Sequence, residues 1–307
     1  MTTKQKAYLA LTGTSILWGT TWVASKIAVQ KVPGLQVAAI RQLTAGLILV
    51  SFFLLRGQKI PDTKQLLWLT GMGILMFVSS NGLATVSLKY IPSGLSALIA
   101  ALYPLLVVII ELVFFKNNRI GWLTFTGLFL GIGGIGIVFY DNAFHAHAAG
   151  YGFGIAASLA SMITWSIATI FIARNRINMN PYNATGWEML ISAVILLTIT
   201  GISGNHIPVS QIPAKAWLSI AYLVTAGSVL AFAAFIYTMK HLEPSIAALY
   251  AYMNPIVAII VGSLIVGEKL TPAIIGGSLV TLIGVYLVNQ SLKKQKAAIQ
   301  MPDADAI

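Results

Sequence analysis

The sequence predicts an all-α membrane protein of about ten transmembrane helices, built as two inverted five-helix repeats. Three observations support this class. The 307-residue chain is 57% hydrophobic and only 9% charged, whereas soluble chains carry roughly a quarter charged residues. Its apolar residues come in runs of about twenty, long enough to cross the hydrocarbon core of a bilayer. A segment of the first half also recurs in the second half.

The predicted helices follow the apolar runs in order. The first run begins near Ala7, exceeds the length of a signal-peptide core and lacks a clear cleavage pattern, so we expect an uncleaved first helix. The helices are placed at 7–28, 34–55, 65–88, 92–115, 120–140, 151–173, 181–202, 214–239, 244–266 and 271–291. Helix breakers suited to helix starts lie at Pro33-Gly34, Pro61-Asp62, Pro92-Ser93, Asn180-Pro181, Pro213 and Pro244.

Positive charge between the helices sets the predicted orientation, since Lys and Arg are retained in the cytoplasm. With both termini inside, ten helices place thirteen of these residues on the cytoplasmic side and four outside. The outer set is Lys31, Lys89, Lys215 and Lys269. A missed or invented helix would exchange the sides of all later links, so the bias also supports the number ten.

An internal repeat organises the chain. Residues 89–105, KYIPSGLSALIAALYPL, align without a gap to residues 240–256, KHLEPSIAALYAYMNPI. Five helices are an odd number, so the second copy enters the membrane from the opposite side. The predicted organisation is a first repeat at 1–140, a linking loop at 141–150, a second repeat at 151–291 and a cytoplasmic tail at 292–307.

Several classes of protein are excluded or disfavoured. The net charge of +11 comes mainly from short links, so topology explains it and no nucleic-acid partner is expected. The chain has no cysteine, so it can form neither disulfides nor thiolate metal sites. It also lacks a phosphate-binding loop ending in Gly-Lys-Ser/Thr, so nucleotide hydrolysis is not expected. His145 and His147 form a poor metal site with only Asp141 nearby, and no cofactor is predicted.

Two prolines indicate a solute pocket. Pro104 and Pro255 lie near the centres of the fourth and ninth predicted helices, where each frees a backbone carbonyl four residues earlier. Polar and aromatic neighbours at the same depth suit a small polar solute with an apolar part; they are Tyr103, Tyr250, Tyr252 and Asn254. The alternative is a proline kink packed against small residues.

Further candidates lie inside the spans. Trp18 and Trp165 are near the middle of the first and sixth helices, away from the interface that membrane tryptophans favour. They form either opposite walls of a cavity or large core filler, and Trp22 is a weaker candidate on the face of Trp18. Asn81, in the third helix, either faces the cavity or links helices by hydrogen bonds.

Two charges inside the spans need a reason, since burying them in lipid is costly. Arg41 is about seven residues into the second helix from outside, and Glu188 is about seven residues into the seventh from inside. Their depths differ by roughly 10 Å, so no direct ion pair is expected. Arg41 either snorkels or ties helices together, or it serves solute binding or gating. Glu188 is a candidate proton site lying towards the cytoplasmic end.

Glycines mark the fifth and tenth helices as close-packing elements. Those of the fifth are Gly127, Gly131 and Gly134, and those of the tenth are Gly276, Gly277 and Gly284. Such faces pack either within the bundle or between the protomers of a homodimer.

In these motifs the chain resembles the EamA family of the drug/metabolite transporter (DMT) superfamily. The resemblance covers nearly the whole length: LWGTTWVASK at 17–26, Arg41 followed by Ala45, LKYIPSGLSALIAALYPL at 88–105, LEPSIAALYAYMNPIVA at 242–258 and GEKLTPAIIGGSLVTLIGVYLV at 267–288. It implies a ten-helix bundle whose cavity is framed by helices one, three, four, six, eight and nine. It also implies a bacterial inner-membrane protein that exports amino acids, related metabolites or toxic compounds. The family's glutamate before helix five is absent from KNNRIG at 116–121, while Glu268 remains, which favours an end-cap role for Glu268.

The expected function is therefore secondary transport of a small solute through the lipid bilayer, by alternating access and without enzymatic activity. Export of amino acids or related compounds is the leading hypothesis. Transport of phosphorylated or nucleotide-sugar-like solutes would require several cations within the spans, and only Arg41 clearly qualifies. A membrane-embedded enzyme would require clustered catalytic carboxylates, histidines or metal ligands, which the predicted cavity helices do not offer.

Overall fold

The structure, a computed structural model, describes residues 1–115, 121–143, 149–174, 177–242, 246 and 249–300. Within these ranges the chain is helical and contains no strand. Eight helices in this part are long and apolar enough to cross a membrane, and a ninth apolar helix at Tyr250–Val266 is shorter. The first helix, Thr3–Val29, is outside this set because Thr, Ser and Trp lower its hydropathy. The chain is thus an all-α integral membrane protein, and the number ten stays a prediction.

Regular helices alternate with short π-helical segments, which we label π1 to π3. The elements are α1 (Thr3–Val29), α2 (Gly34–Leu55), α3 (Thr63–Gly73), π1 (Ile74–Asn81), α4 (Gly82–Ser87), α5 (Ser93–Ala100), α6 (Tyr103–Phe115), α7 (Trp122–Ala143), α8 (Tyr151–Arg174), α9 (Pro181–Ser203), a 3-10 turn (Val209–Gln211), α10 (Ala214–Tyr222), π2 (Leu223–Leu230), α11 (Ala231–His241), α12 (Tyr250–Val261), π3 (Gly262–Val266) and α13 (Pro272–Gln300).

The helix starts follow the local chemistry that the sequence predicts. Asp62 caps α3 by accepting from the backbone N–H of Gln65, and the Asp62 backbone N–H in turn donates to Gln65 Oε1. Asn180 caps α9 through its side-chain oxygen, with Pro181 as the first helical residue. Pro244, His145 and His147 lie outside the described residues.

The fourth predicted helix is broken, which corrects the expected position of Pro104. A turn at Ala101 and Leu102 separates α5 from α6, and Pro104 is the second residue of α6. Proline is tolerated in a first helical turn because no intrahelical partner is lost there. Pro255, in contrast, lies inside α12 as the sequence predicts.

The chain forms two compact units. Unit 1 comprises Met1–Ala100 and Ala148–Lys269, and unit 2 comprises Ala101–His147 and Leu270–Ile307. Each unit therefore draws helices from both predicted repeats.

In unit 1, α2 and α9 cross closely at glycines. A Cβ on Gly46 would lie 2.8 Å from the Leu190 backbone nitrogen, and one on Gly186 would lie 2.9 Å from Leu49 Cβ. Serine pairs connect other helices of this unit: Ser80 with Ser161, and Ser96 with both Ser87 and Ser158. Small residues and hydroxyl contacts are how membrane helices associate without a hydrophobic driving force.

In unit 2, α7 and α13 pack backbone to backbone. A Cβ on Gly127 would lie 2.7 Å from the Gly284 carbonyl oxygen, and one on Gly277 would lie 2.6 Å from the Gly134 carbonyl oxygen. The Thr124 hydroxyl donates to Ser291 Oγ at 2.7 Å near one end of this pair. The predicted glycine faces are confirmed within the bundle, except for Gly276, whose Cβ would meet nothing within 4 Å.

Candidate functional site

Three aromatic rings of unit 1 meet around the ring of Trp18. Its ring centroid is 5.2 Å from that of Phe232, 5.0 Å from Phe235 and 5.1 Å from Tyr250. Phe235 and Tyr250 are also in contact, at 5.2 Å. We call this group, from α1, α11 and α12, the aromatic cluster. Trp18 and Tyr250 are predicted site residues, whereas sequence reasoning missed the two phenylalanines.

The indole of Trp18 is oriented by π2. Its Nε1–H donates to the carbonyl oxygen of Gly227 at 3.1 Å. A π-helical turn departs from the regular hydrogen-bond register, and such segments occur frequently at functional sites. The hydrogen bond satisfies the one donor of the indole and fixes the ring plane against the other members of the aromatic cluster.

Arg41 approaches the same glycine from α2. Its Nε–H donates to Ser228 Oγ at 2.9 Å, and a Cβ on Gly227 would lie 3.1 Å from Arg41 Nη2. Arg41 is 8% exposed. No Asp or Glu within the described residues forms an ion pair with it, and its Nη groups have no acceptor there. The guanidinium and the indole thus flank one backbone position of π2.

The next residue on α2 contacts π1. Gln42 Nε2 donates to Asn81 Oδ1 at 3.0 Å, and Asn81 is the last residue of π1. Gln42 is fully buried, and its Oε1 has no hydrogen-bond partner. Asn81 is therefore at least a link between helices, one of the two roles that the sequence left open.

Helix α12 passes close to α1 next to the aromatic cluster. A Cβ on Gly19 would lie 2.5 Å from Val257 Cβ and 3.2 Å from the Asn254 carbonyl oxygen. Pro255 interrupts the hydrogen bonds of α12 at this level. Asn254 Oδ1 is buried without a hydrogen-bond partner.

Other predicted site residues come from α6, from α8 and from a further position of α1. Trp165, on α8, has no ring contact and no indole hydrogen bond among the described residues. Tyr103 and Pro104 belong to unit 2. Trp22, the weaker candidate on α1, packs against the apolar core of unit 1.

Glu188 lies on α9 and is 7% exposed. No side chain within the described residues donates to its carboxylate or pairs with it. Its backbone carbonyl accepts from the hydroxyl of Ser192 and would lie 3.0 Å from a Cβ on Gly73. Glu188 therefore sits where α9 packs on the end of α3, directly before π1.

Glu268 forms an end cap between separate parts of unit 1. Its Oε1 accepts from the Ser93 backbone N–H at 2.7 Å, and its Oε2 accepts from the Ser93 hydroxyl at 2.8 Å and the Gly94 N–H at 3.3 Å. Nearby, Lys26 Nζ donates to the Ile91 carbonyl at 2.9 Å. The geometry is the one expected for Glu268, with a carboxylate on the N-terminus of α5.

A polar cavity of about 420 Å³ lies away from the aromatic cluster, beside the links that precede α3 and α9. Its lining includes Lys59, Asp62, Gln65, Asn178 and Asn183. The described residues contain no group of three or more His, Cys, Asp or Glu side chains that could hold a metal ion.

Comparisons with known proteins identify relatives of the whole chain. The EamA-like transporter family matches residues 5–140 and again 152–290. The chain is 31% identical over 265 residues to the uncharacterized inner membrane transporter YedA of Escherichia coli, covering 85% of this chain and 83% of that protein. It is 27% identical over 300 residues to the uncharacterized transporter YvbV of Bacillus subtilis, covering 96% and 95%. A crystal structure of a protein 18% identical to this chain superposes with a TM-score of 0.65, covering 95% of this chain and 99% of the other, which shows a shared fold.

Proposed function

Because the chain belongs to the EamA-like transporter family, we propose that it is a secondary transporter that exports amino acids or related small metabolites by alternating access. The relatives YedA and YvbV carry the name of transporters. The chain is an integral membrane protein, and its family membership makes a small solute its substrate.

The observation that carries the proposal is the meeting of interrupted helices around Trp18. Regular hydrogen bonding is interrupted by π2 between α10 and α11 and by Pro255 in α12. Irregular backbone within a membrane is tolerated where it is buried in protein or lines a polar cavity. Transporters commonly place their solute sites at such interruptions near the middle of the bilayer.

In this proposal the rings of Trp18 and Tyr250 contact the apolar part of the solute. Asn81, Asn254 and the carbonyl freed by Pro255 serve its polar groups. The unpaired Oδ1 of Asn254 supports this role because a buried oxygen without a partner is costly unless a ligand or water donates to it. Tyr103, Pro104 and Trp165 remain solute contacts predicted from the sequence.

The proposed arrangement is ten spans in two inverted repeats, in a bacterial inner membrane, with both termini in the cytoplasm. The separate family matches at 5–140 and 152–290 support two copies. The thirteen-to-four charge bias supports the orientation.

Counterflow of labelled amino acids into proteoliposomes tests the transport function. Trp18→Ala should reduce the rate strongly, because it removes the centre of the aromatic cluster. Trp122→Ala is the matched control, since Trp122 is 80% exposed and lies in unit 2. Failure of the wild-type protein to exchange any amino acid would reject this substrate class.

Cysteine labelling tests the orientation, because the native chain has no cysteine. Single cysteines replace Asn178 and Asn205, both exposed, which lie on opposite sides of the proposed membrane arrangement. An impermeant thiol reagent added from outside should label position 205 and spare position 178. The reverse result would invert the proposed orientation.

A further inference from the structure

Arg41 is a buried cation that the described protein leaves without an anion. A charge inside a membrane protein is costly unless it is paired or hydrogen-bonded. The Ser228 hydroxyl occupies Nε alone, and the Nη groups have no protein acceptor among the described residues. An uncharged hydroxyl does not neutralise the guanidinium, so an anion from outside the protein would complete the site.

The direction of the side chain argues against snorkelling. A snorkelling arginine extends along its own helix to bring its charged group to the interface. Arg41 instead reaches across to π2, where its Nε bonds Ser228 and its Nη2 lies against Gly227. The charged group is therefore directed at another helix and held there.

Gly227 places this cation beside an apolar surface. Its carbonyl accepts the Trp18 indole hydrogen bond, while Arg41 Nη2 lies 3.1 Å from where its Cβ would be. The same Cβ would lie 2.6 Å from Thr21 Cγ2, so a larger residue would have to displace its neighbours. The guanidinium and the indole of the aromatic cluster therefore both lie against Gly227.

We propose that Arg41 binds the carboxylate of the transported solute, and that the solute is a small carboxylate with an apolar body packed against the aromatic cluster. This inference rests on the proposed function and names the substrate chemistry of its site. The planar guanidinium matches a carboxylate through two parallel hydrogen bonds.

The charge balance selects a carboxylate over a phosphorylated solute. A phosphate monoester near neutral pH carries close to two negative charges, and one guanidinium balances one. Lys26, another basic residue within the predicted spans, is bonded to the Ile91 carbonyl instead. Within the described residues Arg41 is thus the cation at the aromatic cluster.

Three probes that share a 3-methylbutyl group test the carboxylate requirement. They are 4-methylpentanoate, with the carboxylate alone; leucine, with carboxylate and ammonium; and 3-methylbutylamine, with the ammonium alone. Ligand binding stabilises the folded protein, so thermal unfolding of the purified full chain reports each affinity without transport. The two carboxylates should raise the unfolding temperature, and the amine should not.

Substitutions at Arg41 locate the contact. Arg41→Gln should weaken both carboxylates roughly tenfold or more and remove the preference over the amine, because a charge-assisted contact is lost. Arg41→Lys keeps the charge and should give an intermediate loss of affinity for the two carboxylates. If Arg41→Gln fails to fold, Arg41→Lys alone tests the contact. Glu188→Gln is the matched control, a buried charge on α9 whose removal should leave the preference unchanged.

The inference is overturned if no carboxylate probe stabilises the wild-type protein, or if the amine stabilises it equally well. It is also overturned if Arg41→Lys and Arg41→Gln unfold at lower temperature but keep wild-type affinities, which is the outcome for a purely structural arginine. Wild-type counterflow of leucine with unchanged Arg41 variants would reject the inference and leave the transport function standing. Carboxylate binding without any counterflow would support the inference and reject the transport function.

Discussion

Arg41 and Glu188 occupy matching places in α2 and α9, yet their surroundings differ. The same spacing of 147 residues separates Arg41 from Glu188 and separates Gly34 from Pro181, the first residues of the two helices. Both charged side chains are buried. Arg41 is hydrogen-bonded to Ser228 in π2, whereas the Glu188 carboxylate has no donor among the described side chains.

Arg41 and Glu188 therefore have matching positions but different chemistry. Both halves of the chain bury an ionisable group, one on α2 and one on α9, and these two helices pack against each other. The signs of the two charges are opposite. Only Arg41 is joined through a shared glycine to the aromatic cluster. We therefore expect solute recognition to depend on the first of these places and to be largely independent of the second.

Reversing the charge at Arg41 should have the largest effect. Arg41→Glu places a carboxylate where we propose that the solute carboxylate binds, and two like charges brought together in this way repel each other by several kcal/mol. Counterflow per reconstituted protein should fall by roughly a hundredfold or more. Glu188→Arg, the reversal at the matching place, provides the control. If the two variants are equally stable and lose transport to a similar extent, solute recognition does not depend on Arg41 more than on Glu188.

A methyl group at Gly227 should have the next largest effect. Gly227→Ala would press on Thr21 Cγ2 and Arg41 Nη2, and we expect a destabilisation of about 1–3 kcal/mol with weaker carboxylate binding. Gly71→Ala is the control, because its Cβ would meet nothing within 4 Å. Thermal unfolding and probe affinity are measured on both variants. If Gly227→Ala and Gly71→Ala have the same unfolding temperature and the same probe affinity, the close packing at Gly227 contributes to neither stability nor binding.

Removing polar groups from α6 and α12 should produce a smaller change. Asn254→Ala or Tyr103→Ala should shift apparent affinity or solute preference several-fold, as expected for the loss of one hydrogen bond worth about 1 kcal/mol. Counterflow at varied solute concentration and thermal unfolding are compared for each variant. Lower stability with unchanged affinity would identify both residues as packing, and would move the site towards Trp18 and Trp165.

Neutralising Glu188 should have the smallest effect. Glu188→Gln keeps the side-chain shape, and its place on the cytoplasmic side of the predicted midplane argues against an obligatory role in proton coupling. Transport driven by a pH gradient should persist in proteoliposomes, with counterflow as the reference. Loss of the gradient-driven component with intact counterflow would show that Glu188 carries the coupled proton.

Sequence patterns predicted much of the fold because lipid imposes simple rules. Apolar runs gave the helices, and the α2 bounds of 34–55 agree with the structure at both ends. The glycine spacing predicted the packing of α7 on α13. The break before Tyr103 was missed because an apolar run does not distinguish a continuous helix from two helices joined by a turn.

The candidate site was predictable only in part. Trp18 and Tyr250 stood out by residue type and repeat position, and the structure brings them together. Phe232 and Phe235 were missed because phenylalanine in an apolar helix carries no signal of its own. The role of π2 was also missed, since π-helical turns depend on tertiary packing more than on local sequence preference.

The glycines of α7 and α13 have a consequence for how this protein tolerates mutation as it diverges. Gly127, Gly134 and Gly284 face the backbone of the opposite helix, where any side chain would collide with main-chain atoms that cannot rotate away. Gly133 and Gly136, on the same α7 helix, meet nothing within 4 Å of a Cβ. Among descendants of this sequence, the first three positions should remain glycine while the other two drift to alanine, serine or larger apolar residues.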